Sequence, residues 1–577
     1  MPFPIIKYLE RNEHSNNMFE LFNDNIQPIA IMQLAFLFLL FLYLVWDNRN
    51  IFLVYFCGNK ISTIFLFIAI VFFVFLNMSY GFSGESFIPS DEEWVLVDLA
   101  RNIMEGENIF HSPYLRYGMV YPMLLSGSFY LFDMVSEAAS YLNLFLSIIS
   151  IILVYIISLV LFDKESSLFS AVLYIFSPMT FVFTSLQMGF PMISAVALLA
   201  FVLASLLLFK YHTYSFLMLS IVALLICSQV KPEYIVLILP FLIYFFWRKE
   251  YRHFSIKILL FVTLFFAFFT MPYYVKNLQL TSQLSGFQCG APSLYSDYKT
   301  ADNLSFSLLA KSDNFIREKI HGQFAISHLF RKLPNFVNFW SFRLNIIIVL
   351  LALYGMIYLY YEGKKGYGYV LLIYVFISIM YLSHCAYYTG RYLFPSYSLV
   401  VIIAGFGIRA LNNALEDKIK IFKKIFIIVL IMYIVAYFYI EFFPYFSKKQ
   451  YHDHLFGFRV VQSDYADLKN IVSDMDKETA NIIILHPNEE YALKLQGYSA
   501  YSLINIYDGD YSTINYDNAI TNLKVPVKAG MDNYFIRSSY CDYLPENKIA
   551  CNFIHENHKL ELVKRIDSEN VIYRFID

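Results

Sequence analysis

Three adjacent carboxylates, Asp91, Glu92 and Glu93, follow a long apolar stretch and open the sequence SDEEWVLVDLARN. A carboxylate in such a place could take a proton from an attacking hydroxyl, or could bind a metal ion. Ser90 and Glu93 also have the spacing of a helix capping box, and acidic side chains favour the start of a helix. The stretch is therefore either a catalytic element or the capped start of a surface helix.

The composition indicates what must position these carboxylates. The chain has 577 residues, of which 58% are hydrophobic and only 15% charged, with a mean hydropathy of +0.53. A water-soluble protein cannot hide so much apolar surface, so the sequence predicts a membrane protein. The net charge of −2 identifies no partner, and we expect no nucleic acid partner.

Apolar runs of roughly 17–25 residues, enough to cross the hydrocarbon core as helices, recur up to Phe446. We predict a mainly α-helical polytopic membrane protein of about twelve spans, two of them short. The predicted spans are 29–46, 61–79, 139–162, 168–186, 191–209, 213–229, 234–247, 257–275, 344–361, 368–386, 395–411 and 425–444.

The composition changes after Phe446, where strand-like patches such as Asn481–Leu485 alternate with polar residues. This pattern predicts a small soluble α/β domain. We therefore divide the chain into an N-terminal tail with an extra span (1–60), a membrane domain (61–446) and a C-terminal domain (447–577). The first thirty residues lack the pattern of a cleavable signal peptide, so we expect the helices themselves to direct membrane insertion.

Basic residues set the predicted orientation, because cytoplasmic loops are enriched in Lys and Arg. The basic loops all fall on one side of the membrane if the segment 119–134 is a short helix at the membrane interface that does not span. The carboxylates, the loop 276–343 and the C-terminal domain then lie outside the cytoplasm. The loops predicted to be cytoplasmic carry Arg49, Lys60, Lys164, Lys210, Arg248, Lys249, Arg252, Lys364, Lys365 and the basic residues from Arg409 to Lys424.

The cysteines leave one question open. Cys541 and Cys551 lie in the predicted outer domain, where the compartment permits a disulfide but does not require one, so two free thiols remain the alternative. No Cys and His spacing matches a zinc site, no glycine-rich phosphate loop follows a strand, and no serine nucleophile elbow is present.

Four motifs, taken in order, resemble those of a known family. The chain is similar to the polyprenyl-phosphate-sugar-dependent glycosyltransferases of the C-type membrane fold, which include the protein O-mannosyltransferases and the lipid A aminoarabinose transferase. The resemblance covers roughly residues 60–411 and implies juxtamembrane helices in the first outer loop. The motifs are the acidic stretch ending in Ala100-Arg101-Asn102, Tyr121-Pro122 opening a short helix, Lys231-Pro232, and Gly390-Arg391-Tyr392-Leu393-Phe394-Pro395.

The resemblance implies an inverting transfer, in which an acceptor hydroxyl attacks a hexose or pentose linked to a polyprenyl phosphate. Asp91 or Glu92 would be the catalytic base, and we favour Asp91. Cations would stabilise the departing phosphate. The implied partners are the lipid-linked donor, membrane lipids and a glycan, lipid or protein acceptor. The implied substrate-binding residues are Arg116, Tyr121, Lys231, Arg391 and Tyr392.

The chain also departs from the family. If Ala100-Arg101-Asn102 is held in register, the family's Asp falls on Glu92, and Tyr121 stands where the aminoarabinose transferase has a Lys. The turn at 187–191 lacks the carboxylate that many members carry. We therefore predict no cofactor and no metal ligand; a divalent metal is compatible with the chemistry but unsupported by the residues.

Two other classes remain. A lipid or polysaccharide transporter or flippase would show ionisable residues at mid-span, inverted repeats or broken helices, and the sequence shows none of these. A sensor or assembly protein working through its outer domain is the third class. For Lys231 and Arg391, the alternative to phosphate binding is a charge that reaches from a helix end towards water.

Overall fold

A computed structural model gives the fold of the protein. It describes residues 13–57, 60–81, 93–106, 118–132, 136–185, 189–281, 346–362, 366–384, 390–416, 450–451, 460–461, 472–485, 493, 498–502, 525, 527–538, 541, 545–565 and 571–576.

Helices dominate up to residue 416, and a small sheet lies near the C-terminus, so the predicted mainly α-helical architecture with a C-terminal α/β region is confirmed. The α-helices are Glu13–Asp47, Arg49–Cys57, Lys60–Leu76, Glu93–Glu105, Val120–Phe132, Ser136–Leu161, Lys164–Ile175, Pro178–Ser185, Gly189–Tyr211, Tyr214–Val230, Ile238–Trp247, Ile256–Thr281, Ile346–Tyr361, Tyr367–His384, Gly390–Glu416 and Pro545–Asn557. A π-helical turn covers Asn77–Gly81, and 3₁₀ helices cover Pro232–Leu237 and Glu250–His253.

Five of the described helices contain a stretch long and apolar enough to cross a membrane, and six shorter apolar helices accompany them. The count of about twelve spans stays a prediction, and the span expected at 425–444 lies outside the described residues. The five long stretches are Pro28–Asp47, Lys60–Ser79, Ala138–Leu161, Pro191–Tyr211 and Leu393–Ala414.

Two predicted spans differ from the structure. The span 168–186 is divided into the helices Lys164–Ile175 and Pro178–Ser185, because a residue that precedes a proline disfavours the helical conformation. The span 395–411 belongs to a helix that begins at Gly390. The helix therefore starts five residues before the predicted span, and Pro395 lies inside it.

Contacts among the described basic loops agree with the alternation derived from the sequence. The Lys210 Nζ lies 2.9 Å from the Tyr55 hydroxyl, and the rings of His212 and His253 stack 4.8 Å apart. Arg409 forms a 3.0 Å ion pair with Asp163 beside the helix that starts at Lys164. Loops expected on the same side thus contact one another, while their orientation towards the cytoplasm remains a prediction.

The helix Gly390–Glu416 packs against its neighbours through glycines. A Cβ atom added at Gly407 would lie 2.0 Å from the Leu351 carbonyl oxygen, and one at Gly355 would lie 2.6 Å from the Ile403 carbonyl oxygen. On another face, a Cβ at Gly405 would lie 2.1 Å from the Ser170 Oγ. Backbones therefore approach closely here, as they do at small-residue interfaces between membrane helices.

The C-terminal sheet has five strands: β1 (Ala480–Ile484), β2 (Ser499–Ser502), β3 (Asp532–Arg537), β4 (Leu560–Arg565) and β5 (Val571–Phe575). The spatial order is β2-β1-β3-β5-β4, with β1 parallel to β2 and β3, and the last two pairs antiparallel. A separate antiparallel pair joins Gln450–Tyr451 to Val460–Val461.

The helix Pro545–Asn557 carries one half of a disulfide. Cys541 and Cys551 are bonded, with their Cα atoms 5.9 Å apart, and both are fully buried. The alternative with two free thiols is therefore wrong. Phe535 and Ile554 pack in the same apolar cluster as the disulfide, which anchors the helix on the sheet.

Candidate functional site

Lys231 ends the helix Tyr214–Val230 because Pro232 follows it. The residue before a proline favours an extended backbone, and Lys231 has φ −146° and ψ 110°. Its N–H still donates to the Cys227 carbonyl at 3.0 Å, and its own carbonyl accepts from the Tyr234 N–H at 2.9 Å. The backbone of this cation is therefore fixed on both sides.

Lys231 is only 3% exposed, and Glu233, two residues later, is 5% exposed. Burying a charge costs free energy, so ionisable residues inside a membrane protein commonly mark functional sites. The sequence indicated Lys231 as a substrate-binding residue but did not indicate Glu233. Its position directly after a Lys-Pro pair, where the chain turns back into the helical region, was the available signal.

Gly118 lies just before the helix Val120–Phe132 and contacts the end of the helix Tyr214–Val230. Its φ is +74°, a left-handed backbone that favours glycine. A Cβ added here would lie 2.1 Å from the Gln229 carbonyl oxygen and 2.8 Å from that of Val230. Only a residue without a side chain allows this contact, so the start of the short helix is held against the helix end that bears Lys231.

Tyr121 lies in the first turn of the same short helix and is 1% exposed. Its hydroxyl donates to the Asn143 Oδ1 at 3.4 Å, and the Ser147 Oγ donates to the Asn143 carbonyl at 2.7 Å. The Ser147 Oγ is also 2.6 Å from the Thr184 Oγ1. A buried polar chain thus connects the short helix to Ser136–Leu161 and to the second half of the divided span. We call Gly118, Tyr121, Lys231 and Glu233 the Lys231 corner.

The short helix Val120–Phe132 cannot span the membrane. Its 13 residues reach about 20 Å at 1.5 Å per residue, against about 30 Å of hydrocarbon. It packs against the helix Glu93–Glu105, which starts directly after Asp91 and Glu92 in the chain. The chain therefore has the two short helices that the resemblance implies for the first outer loop.

The structure does not describe the side chains of five predicted site residues. Asp91, Glu92 and Arg116 lie outside the described residues, and Arg391 and Tyr392 are described only as backbone in the first turn of Gly390–Glu416. Their proximity to the Lys231 corner stays a prediction.

The start of the helix Gly390–Glu416 is positioned by an aromatic cluster. The ring of Phe394 lies 4.8 Å from that of Phe183 and 6.1 Å from that of Tyr174, on the two sides of the break at Ser177. The turn that holds Arg391 is therefore fixed against the divided span.

Among the described residues, no group of three His, Cys, Asp or Glu side chains could hold a metal ion. Asp91 and Glu92 are not among those residues, so the metal prediction stays open. The described part of the site offers a buried cation, a buried carboxylate and a tyrosine hydroxyl bonded to an asparagine. These groups can bind an anion and polar hydroxyl groups.

The fold of the protein resembles those of two solved structures. It is similar to that of ArnT from Cupriavidus metallidurans, solved bound to undecaprenyl phosphate, with a TM-score of 0.51 and 11% identity over 89% of this chain and 98% of that one. It is also similar to the oligosaccharyltransferase of Archaeoglobus fulgidus in its apo form, with a TM-score of 0.52 and 12% identity over 87% and 73% of the two chains. At these identities the likeness shows the fold alone.

A sequence-family profile adds to the likeness in fold. Residues 116–275 match the dolichyl-phosphate-mannose-protein mannosyltransferase family, a range that contains the whole Lys231 corner. No protein of curated function matches the chain significantly. The resemblance to the polyprenyl-phosphate-sugar-dependent glycosyltransferases of the C-type fold is confirmed by the profile match and the fold together.

Proposed function

We propose that the protein transfers a sugar from a polyprenyl-phosphate donor to an acceptor hydroxyl, with inversion, on the extracytoplasmic side of the membrane. The observation that carries the proposal is Lys231, a cation 3% exposed at the end of the apolar helix Tyr214–Val230, where that helix contacts the turn at Gly118. A lipid chain in the bilayer presents its phosphate at such a helix end, and a buried ammonium binds phosphate strongly because little water competes.

The chemistry follows from the residue types. The acceptor oxygen forms a bond to the anomeric carbon as the bond from that carbon to the phosphate oxygen breaks. Asp91, or Glu92 in the alternative register, takes the hydroxyl proton. Lys231 and Arg391 stabilise the lipid phosphate as it leaves, and Arg116 is a third cation for that role. Tyr121 and Tyr392 complete the substrate site in this proposal.

The same proposal gives the other parts of the chain their locations and roles. About twelve spans form the membrane domain at 61–446, after an N-terminal tail and extra span at 1–60. The domain 447–577 lies outside the cytoplasm and influences the choice of acceptor. The archaeal relative AglB was solved with an inhibitory peptide and a dolichol-phosphate, which supports a donor and an acceptor bound by the same fold. The sugar is a hexose or pentose, and the acceptor a glycan, lipid or protein.

A flippase remains the second candidate, because the divided span at Ser177 is a feature that transporters also use. Purified protein in liposomes with labelled polyprenyl-phosphate sugars separates the two. Consumption of the lipid with formation of a glycoside supports the transferase. Movement of intact lipid between leaflets, without a glycoside, would support the flippase and contradict our proposal.

A further inference from the structure

Glu233 and Lys231 place opposite charges in one buried corner. Pro232 separates them, and two residues of chain keep their Cα atoms within about 7 Å. Both side chains therefore leave the backbone close to each other. An anion such as the donor phosphate attracts Lys231 and repels an ionised carboxylate, so the two residues cannot have the same ligand group.

Several segments of the chain pack around the Lys231 corner. The carbonyls of Gln229 and Val230 contact the turn at Gly118, and the 3₁₀ helix Pro232–Leu237 packs against the helices Ile238–Trp247 and Tyr367–His384. Tyr234, inside the 3₁₀ helix, is completely buried. The backbone positions of Lys231 and Glu233 are therefore set by packing.

We infer that Glu233 binds hydroxyl groups of the donor sugar, while Lys231 binds the phosphate to which the sugar is attached; this rests on the proposed function. An ionised carboxylate only accepts hydrogen bonds, and its two oxygens offer about four acceptor positions. Sugar hydroxyls are neutral donors joined directly to the phosphate group. A cation and a carboxylate two residues apart match such a ligand, which has an anionic end and a hydroxyl-rich end.

The experiment compares two ligands that differ only in the sugar: a polyprenyl-phosphate hexose and the same polyprenyl phosphate without sugar. Glu233→Gln keeps the shape and removes the charge. Since hydrogen bonds to charged groups are stronger than neutral ones, we expect binding of the sugar-bearing lipid to weaken about tenfold to 100-fold. The sugar-free lipid should bind as tightly as before, or more tightly, because a repelling carboxylate is gone.

The matched control is Glu165→Gln, which changes an exposed glutamate in the first turn of the helix Lys164–Ile175. It should change neither affinity. If Glu233→Gln reduces thermal stability, Glu233→Asp replaces it, since the shorter side chain keeps the charge but withdraws it from the sugar. Its predicted result is again a selective loss for the sugar-bearing lipid.

Equal weakening of both ligands would show that Glu233 only balances the charge of Lys231, and would overturn the inference. Unchanged affinity for both ligands would overturn it as well. Failure of the proposed function gives a different result, because the unsubstituted protein would then form no glycoside, whether or not it binds the two lipids.

Discussion

Replacing Gly118 by alanine tests whether the contact at the Lys231 corner positions the site. Two costs add at this residue. A left-handed backbone costs a residue with a Cβ about 1–2 kcal/mol, and an atom forced 2.1 Å from the Gln229 carbonyl oxygen acts as overpacking, which costs about 1–3 kcal/mol. Because the opposing atoms are backbone, relief requires the segment or the helix end to move. We expect a loss of about 2–5 kcal/mol in stability and weaker donor binding.

Two other glycines separate these costs. Gly106 has φ +77° with nothing within 4 Å of an added Cβ, so Gly106→Ala should show the backbone cost alone. Gly127 lies inside the helix Val120–Phe132 with open space around it, and Gly127→Ala should be neutral or stabilise by about 0.5–1 kcal/mol. Denaturation in detergent and donor titration measure both effects. Equal behaviour of Gly118→Ala and Gly106→Ala in both assays would refute the reasoning.

Four further predictions follow from the same sequence and structure. Asp91→Asn should reduce transfer about 10²–10⁴-fold with folding intact, since the amide cannot accept the proton; loss in Glu92→Gln instead would favour the other register. Arg391→Lys should recover only part of the donor affinity lost in an alanine variant, because the ammonium lacks the planar fork; full recovery would indicate an anchoring charge. Glu561→Cys, on the exposed strand β4, should raise labelling by an impermeant thiol reagent in intact cells above that of the unsubstituted chain, whose Cys289 lies in the loop 276–343; additional labelling only after permeabilisation would reverse the topology of the C-terminal domain. Burial lowers the pKa of His555 below 6.5, so the unfolded chain binds more protons there and the C-terminal domain should lose stability as the pH falls below about 6.5; His555→Gln should flatten that dependence in pH-dependent denaturation.

The helical membrane fold was predictable because lipid imposes it. Runs such as 191–209 must satisfy their own backbone hydrogen bonds, so an apolar sequence of that length indicates a helix. The break at Ser177 was not recognised, although Pro178 marks it, because apolar side chains continue on both sides. Hydropathy is insensitive to such a change in backbone conformation.

The candidate site was predictable where a charged residue interrupts an apolar stretch of sequence. Lys231 next to a proline at the end of an apolar run was recognised, and the structure shows it buried. Glu233 was missed, because a Lys and a Glu in one short turn look the same in the sequence whether the turn is exposed or buried. The contact of Gly118 with Gln229 joins residues over a hundred positions apart, and a single sequence contains no information about such a pairing.

The glycine contacts of the helix Gly390–Glu416 limit how a catalytic cycle can proceed. Gly405 and Gly407 face two different neighbours at distances that leave no space for a methyl group. Rotation or sliding of this helix would therefore drive backbone atoms into collision on at least one side. We therefore expect this helix to keep its position relative to these two neighbours in turnover. Opening and closing of the substrate path must be carried out by segments that do not share this packing.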